Sequence, residues 1–372
     1  MRKGKLFISF LTLFLFFGCI KEDPLVEPER YPNTPKGNFQ AFWDGMNRRY
    51  AFWEYDPTDW DAIYEKYEKQ VTDETSPSEL ADIFKEMVET LIDCHYKILV
   101  QIDTLEFEIY PGKVNENLEK YHFLLDKAYF EGKLFNRLAP GTRKKYKGFV
   151  YGVLNNKYQY IHLPEFDIFN VAGENPQFVV DLFEFMANPG PEIKGVILDL
   201  RANTGGNPDE ISLIVGNFTD KELVVGESKT KYGSNRNEFT PWVPVKVVPN
   251  PESKNRLPMV VLCDGFSVSS AERTTMALSL LPQVTVVGER TFGAQSAIYP
   301  NKVGRNLQYA GSFSLPNGWL VVSAFEVYRF ADGQLYEGVG FPPDVVVPLD
   351  VARFKATGFD NQLEKALEIL PK

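Results

Sequence analysis

Ser269 stands where an apolar run, Met259 to Leu262, passes through Asp264-Gly265 into a helical pattern opened by Ser269-Ser270-Ala271-Glu272. A hydroxyl at such a strand-to-helix turn lies beside unpaired backbone N–H groups and the positive end of a helix dipole, which favour a developing negative charge. Ser269 is therefore a candidate nucleophile, although Ser269-x-x-Glu272 also reads as a capping box, and the stretch alone favours the cap. A nucleophilic serine needs a base, and the chain has three histidines. His95, in Asp93-Cys94-His95-Tyr96, falls at a helix-to-strand junction beside a carboxylate, a good place for a positioned base. His122 lies in a polar-aromatic stretch and reads as a surface or packing residue, and His162 lies in an alternating strand and reads as a sheet residue. Glu337 sits in the rigid loop Tyr336-Glu-Gly-Val-Gly-Phe-Pro-Pro-Asp344, where a carboxylate can be held against another side chain, though most loop glutamates are merely solvated. The paired glycines of Arg201-Ala-Asn-Thr-Gly205-Gly206-Asn207 follow a buried-type strand, where they allow a tight turn and leave N–H groups free.

The elements that must position these residues are legible in outline. Phe39, Phe42, Trp43, Met46 and Tyr50 recur at helical spacing, Asp59 opens a second helix, and Ser76-Pro-Ser-Glu79 is a capping box with Pro at the first helical position. Three amphipathic helices between residues 37 and 100 suggest a small bundle. Residues 101–148 are mixed and loop-rich. From Phe149 to the C-terminus, strands alternate with helices, including the hairpin Phe149–Leu154 and Tyr158–Leu163, a helix through Phe178 to Met186 and the buried strand Gly195–Leu200. That alternation argues an α/β core with a mostly parallel sheet over residues 149–372.

Composition bounds the rest. The 372 residues are 44% hydrophobic, enough for one large or two modest domains with proper cores. Arg2, Lys3 and Lys5 precede an apolar run from Leu6 to Phe17, followed by Gly18-Cys19, so residues 1–19 read as an export leader too short to span a membrane comfortably. The Gly-Cys step resembles a lipobox, which makes Cys19 the candidate lipidation site and membrane anchor, and Lys21-Glu22-Asp23 resembles a signal for export to the surface of the outer membrane. Residues 20–36, with four prolines among charges, read as a tether. Without the leader, 37 basic and 50 acidic residues leave a net charge of −13, which offers nucleic acid no attraction. Cys94 and Cys263 read as free core thiols. The sequence has no zinc-type ligand spacing and no phosphate loop.

Taken in order, Leu198-Asp-Leu-Arg201 with Asn203 and Gly205-Gly206, then Ser267-Val-Ser-Ser-Ala-Glu272, then Val287-Gly-Glu-Arg-Thr-Phe-Gly293 closely resemble the serine peptidase family of C-terminal processing proteases and the tricorn core. The resemblance covers most of residues 37–350 and implies a ClpP/crotonase-like peptidase core behind an N-terminal helical domain, with Ser269 as nucleophile. C-terminal processing proteases pair that serine with a lysine in Thr-Phe-Gly-Lys, but the matching residue here is Ala294, and no lysine occurs between Lys254 and Lys302. The tricorn-like branch instead uses a histidine after the helical domain and a glutamate in Glu-x-x-Gly-x-x-Pro-Asp, places that His95 and Glu337 occupy. The resemblance thus implies a Ser269/His95/Glu337 triad, an oxyanion hole from Ser270 N–H with Gly205 or Gly206, no metal or organic cofactor, and peptides or unfolded protein as substrates. Many relatives carry a PDZ domain before the core; residues 102–147 are too short for one, and the segments 103–148 and 224–250 are expected to wall the cleft. The alternative is a peptidase fold kept as a binding module for peptide or an apolar ligand, which would not need the three residues together.

Overall fold

The computed structural model describes residues 31–121, 127–298 and 311–372. The leader, Cys19 and His122 lie outside the described residues. The N-terminal helices start where their caps dictate. Thr34 Oγ1 accepts from Gly37 N–H ahead of Pro35–Arg49, Asp59 caps Trp60–Tyr67 through Ala62 N–H, and Ser76 and Glu79 form the reciprocal box that opens Pro77–Val88.

These helices pack on one another, with Phe42 against both Trp60 and Phe84, but helices alone do not enclose their core. Their apolar faces rest on an antiparallel sheet of four strands, ordered Phe313–Ser314, Leu320–Val322, Lys97–Ile102 and Leu105–Ile109. Phe42, Met46, Phe84 and Met87 share one core with Ile98, Phe313, Trp319 and Val321. Two of the strands come from more than 200 positions downstream, a pairing that periodicity within the helices cannot reveal. Residues 101–148, loop-rich by sequence, contain the strand Leu105–Ile109, the helices Gly112–Tyr121 and Lys127–Arg137 and the short strand Lys144–Tyr146.

The second half is built on a seven-stranded sheet, ordered Val345–Val346, Val284–Gly288, Met259–Cys263, Gly195–Asp199, Tyr158–His162, Phe149–Leu154 and Lys144–Tyr146. The first five strands run parallel and the last two antiparallel. One face packs under Phe178, Leu182, Ile214, Ala271 and Leu278, the other under Leu134, Phe354, Leu363 and Leu367. Gly195–Asp199 and Met259–Cys263 are buried at every residue, as unbroken apolar runs in a covered parallel sheet should be. Both turns that carry the candidate residues leave the carboxyl ends of these adjacent strands, the usual place for a site in an α/β sheet.

Arg201, fully buried just past the first of these strands, anchors the region. Its guanidinium donates to both oxygens of Asp199, both of Asp360 and Gln362 Oε1, at 2.6–2.9 Å. This joins the sheet to the cap of the last helix, Asn361–Ile369, whose first turn Asp360 also closes. Removing one partner of such a buried network leaves a stranded charge, so Asp360→Ala is expected to lower the unfolding free energy by about 3–5 kcal/mol in urea denaturation. A loss below about 1 kcal/mol would place the anchoring elsewhere.

Candidate active site

The turn Asp264–Ser270 is stitched to the opposite turn, Arg201–Gly206, before any catalytic group is considered. Ser267 Oγ donates to Leu200 O, Val268 N–H to Asn203 O, and Ala202 N–H to the Asp264 carboxylate. Asp264 is also held by Phe266 N–H, and burial pushes its carboxyl up to about 7. Ser269 itself has φ 58° and ψ −115°, outside the extended region an ordinary N-cap adopts. A non-glycine residue in such a conformation costs about 1–3 kcal/mol and persists only where its surroundings impose it. The sharp strand-to-helix turn that presents a serine nucleophile carries strain of this kind.

Glu272 imposes the conformation. It is fully buried and accepts from Ser269 N–H at 3.2 Å, as the box spacing suggests. It also accepts from Thr291 Oγ1, Gly293 N–H, Ala294 N–H and Gln295 Nε2 at 2.6–2.8 Å. Burial raises its carboxyl and these donors pull it back.

Gly205 and Gly206 separate into two roles. Gly205, at φ +83°, packs so closely that a Cβ there would lie 2.6 Å from Ser269 Cβ. Its N–H donates to Asn203 Oδ1 at 2.8 Å, so it is not free, contrary to one of the two sequence-based options. Gly206, at φ +134°, accepts from Ser270 Oγ through its carbonyl and lines the cavity. Among the described residues, the N–H groups of Gly206 and Ser270 have no partner.

His95, Ser269, Ser270 and Gly206 all line a cavity of about 430 Å³, with Thr204, Asn207, Val268, Arg273, Gln295 and Ile298 completing much of its wall. Neither 103–148 nor 224–250 contributes a lining residue among those described, a correction to the sequence reading. The chain returns to the cavity from 95, 204–208, 268–273 and 295–298 instead. Ser269 and His95 share it without a hydrogen bond between them; in free enzymes such contacts are often long and tighten with substrate.

Behind His95 lie two carboxylates. One ring nitrogen of His95 and one oxygen each from Asp93 and Glu337 lie within 4.8 Å of one another. His95 Nδ1 is sealed from solvent without a partner. Glu337 is held by the N–H groups of Cys94, Gln295 and Ser296 at 3.0–3.3 Å. Asp93 is held by His95 N–H, Ser323 Oγ and Ala324 N–H at 2.8–3.0 Å. Burial, then the Asp93 and Glu272 carboxylates, push Glu337 well above the ordinary carboxylate range. Burial pushes Asp93 up to about 6, and burial followed by the Arg273 guanidinium pushes His95 down to about 3. The resting cluster thus holds a neutral imidazole beside carboxyls that resist simultaneous ionisation. The same three residues have the donor types of a divalent-metal site, but six hydrogen-bond donors already aimed at the two carboxylates suit an anion facing an imidazole.

His162, fully within the sheet, places Nδ1 3.2 Å from Asp199 O, in keeping with a sheet residue. Cys94 and Cys263 are free and buried. Asp93, Arg273 and Gln295 were not singled out by sequence as site residues; only the Asp-x-His spacing hinted at the first.

The chain is similar to known proteins in sequence and fold. The sequence model of Peptidase family S41 matches residues 157–347, just over half of the chain, and that of the tricorn protease C1 domain matches residues 31–89. A carboxy-terminal-processing protease of Bartonella bacilliformis is 28% identical over 175 residues, covering 47% of this chain and 36% of the relative. A tricorn protease of Thermoplasma volcanium is 25% identical over 229 residues, covering 61% of this chain and 18% of the relative. The chain thus spans about a third or less of the length of the curated relatives it matches. A candidate peptidase from Parabacteroides merdae superposes with a TM-score of 0.71 at 25% identity, over 91% of this chain and 97% of that one. Mature CPAF shares the fold, with a TM-score of 0.64 at 11% identity, over 90% and 96% of the two chains. On the extent of the S41 match, the chain belongs to peptidase family S41.

Proposed function

We propose that the chain is an exported serine peptidase that hydrolyses peptides or unfolded protein through Ser269, His95 and Glu337, anchored to the envelope by a lipidated Cys19. One observation carries the catalytic part: Ser269 and His95 face one cavity while His95 backs onto the Glu337 and Asp93 carboxylates. The export and anchoring parts rest on the pattern of residues 1–23 alone.

In this reading His95 takes the proton of Ser269 Oγ as it attacks the scissile carbonyl, then returns it to the leaving amine. The negative charge shared by Glu337 and Asp93 stabilises the imidazolium formed between those steps. The free N–H groups of Gly206 and Ser270 receive the oxyanion, each such donor being worth about 3 kcal/mol. Gly205 acts by its shape, letting the glycine turn lie against Ser269.

Ser269→Ala and His95→Ala are expected to abolish both peptide hydrolysis and fluorophosphonate labelling while the folded circular dichroism spectrum persists. Labelling and turnover equal to the original protein in both variants would refute the triad, and a pure binding module would show neither reaction from the start. Gly205→Ala, which drives a methyl against Ser269, should cost about a hundredfold in kcat, since displacements near 1 Å have that effect. Below pH 6 Asp93 takes up its proton and no longer adds its charge behind the imidazolium, so kcat/KM should rise with pH through about 6. Asp93→Asn should move or remove that inflection; a profile unchanged in the variant would assign it to another group.

A further inference from the structure

Among the described residues, Arg273 is the one permanently charged side chain lining the cavity beside Ser269, and its guanidinium is only partly used. Nε donates to Gln295 O at 2.6 Å, and Nη2 pairs with Glu326. Tyr328 fixes the plane, its ring centroid 4.2 Å from Cζ. Nη1 has no hydrogen-bond partner among the described residues and is not sealed from solvent. Gln295, on the same wall, gives Nε2 to Glu272 but leaves Oε1 buried without a partner. Among the described residues, hydrogen bonding on this wall is therefore incomplete on both the donor and the acceptor side. Unmet buried groups are uncommon, because each forfeits the hydrogen bonds it made to water.

The wall's chemistry selects for an anion. No acidic side chain lines the cavity among the described residues, and Glu326 Oε1 accepts from both Nη2 and Ala297 N–H. The guanidinium's field reaches the catalytic end, where it adds to burial in pushing His95 down. A rigid guanidinium with an open N–H edge is the side chain best matched to a carboxylate. A cavity of about 430 Å³ also has room for the residues flanking a scissile bond.

We propose that Arg273 is a specificity residue that seats a substrate carboxylate on Nη1, so that preferred peptides carry an acidic side chain or a free C-terminus close to the bond cleaved. This rests on the hydrolytic reading of the site. The test is binding to the Ser269→Ala protein, which needs no turnover. Four probes are titrated: N-acetyl-tetraalanine as acid and as amide, and N-acetyl-Ala-Glu-Ala-Ala-amide beside its Gln counterpart.

At least one carboxylate probe should bind about tenfold or more tightly than its uncharged partner, and the pair that shows the gap identifies the source. Arg273→Met should erase the gap. Should that variant fold poorly, Arg273→Met with Glu326→Gln removes both buried charges together, and Arg273→Lys keeps the charge while losing the planar fork and should shrink the gap. Equal affinities within both pairs, no binding of any probe, or a gap that survives the double substitution would overturn the assignment. Turnover of peptides by the unsubstituted protein without a carboxylate preference would sink this inference alone. A carboxylate preference in binding with no turnover or fluorophosphonate labelling would sink the peptidase reading and leave the binding residue standing.

Discussion

One buried carboxylate, Glu272, sets the geometry on which the rest depends. It holds the Ser269 backbone on one side and the loop from Thr291 to Gln295 on the other. The N–H groups that follow in that loop, from Gln295 and Ser296, hold Glu337, and Glu337 in turn accepts from Cys94 N–H, the residue before His95. A continuous path of hydrogen bonds therefore runs from the Ser269 backbone to Cys94, the residue before His95, although 174 positions separate Ser269 from His95. Bonds to a buried ion are worth about 1.5–3 kcal/mol each when broken, so this path resists the relaxation that Ser269's strained backbone would otherwise favour.

The second requirement is that the N-terminal half reach the cavity at all. His95 lies just before the strand Lys97–Ile102, which pairs Lys97 with Val322, and the chain after that partner strand supplies Ser323 and Ala324 to Asp93. Burial of Phe313 and Trp319 among the N-terminal helices thus does more than stabilise the fold. It fixes the direction from which the imidazole enters. A site assembled from both ends of the chain needs a sheet that both ends share, and the four-stranded sheet is that element.

Helix starts were readable in the sequence because caps are local: Asp59, Ser76 and Asp360 each close their own first turn. The covered strands were readable because they are unbroken apolar runs. What escaped is non-local. The sheet beneath the N-terminal helices draws strands from residues 97–109 and 313–322, and among the described residues the cavity wall is formed by 204–208 and 295–298 rather than by the long segments expected. Glu272 was legible only as half of a capping box, since sequence spacing shows the Ser269 N–H it accepts but not its four other donors. Asp93 beside Glu337 is likewise a product of folding, and so are the separate duties of Gly205 and Gly206, which Asn203 Oδ1 decides by engaging one N–H and not the other.

Ala294 bears on how His95 reaches the cavity. Its N–H serves Glu272, and its methyl is fully buried against Cys94, Val114 and Phe292. A lysine there would have to thread four methylenes through that small apolar cluster and bring an ammonium into a region already balanced around Glu272 and Glu337. The cluster instead lets Cys94 pack directly against the Thr-Phe-Gly-Ala loop, which brings the next residue, His95, to the cavity. Filling position 294 with a small residue and delivering the imidazole from the far end of the chain are thus one structural choice. The contact that replaces the lysine's bulk is the contact that places His95.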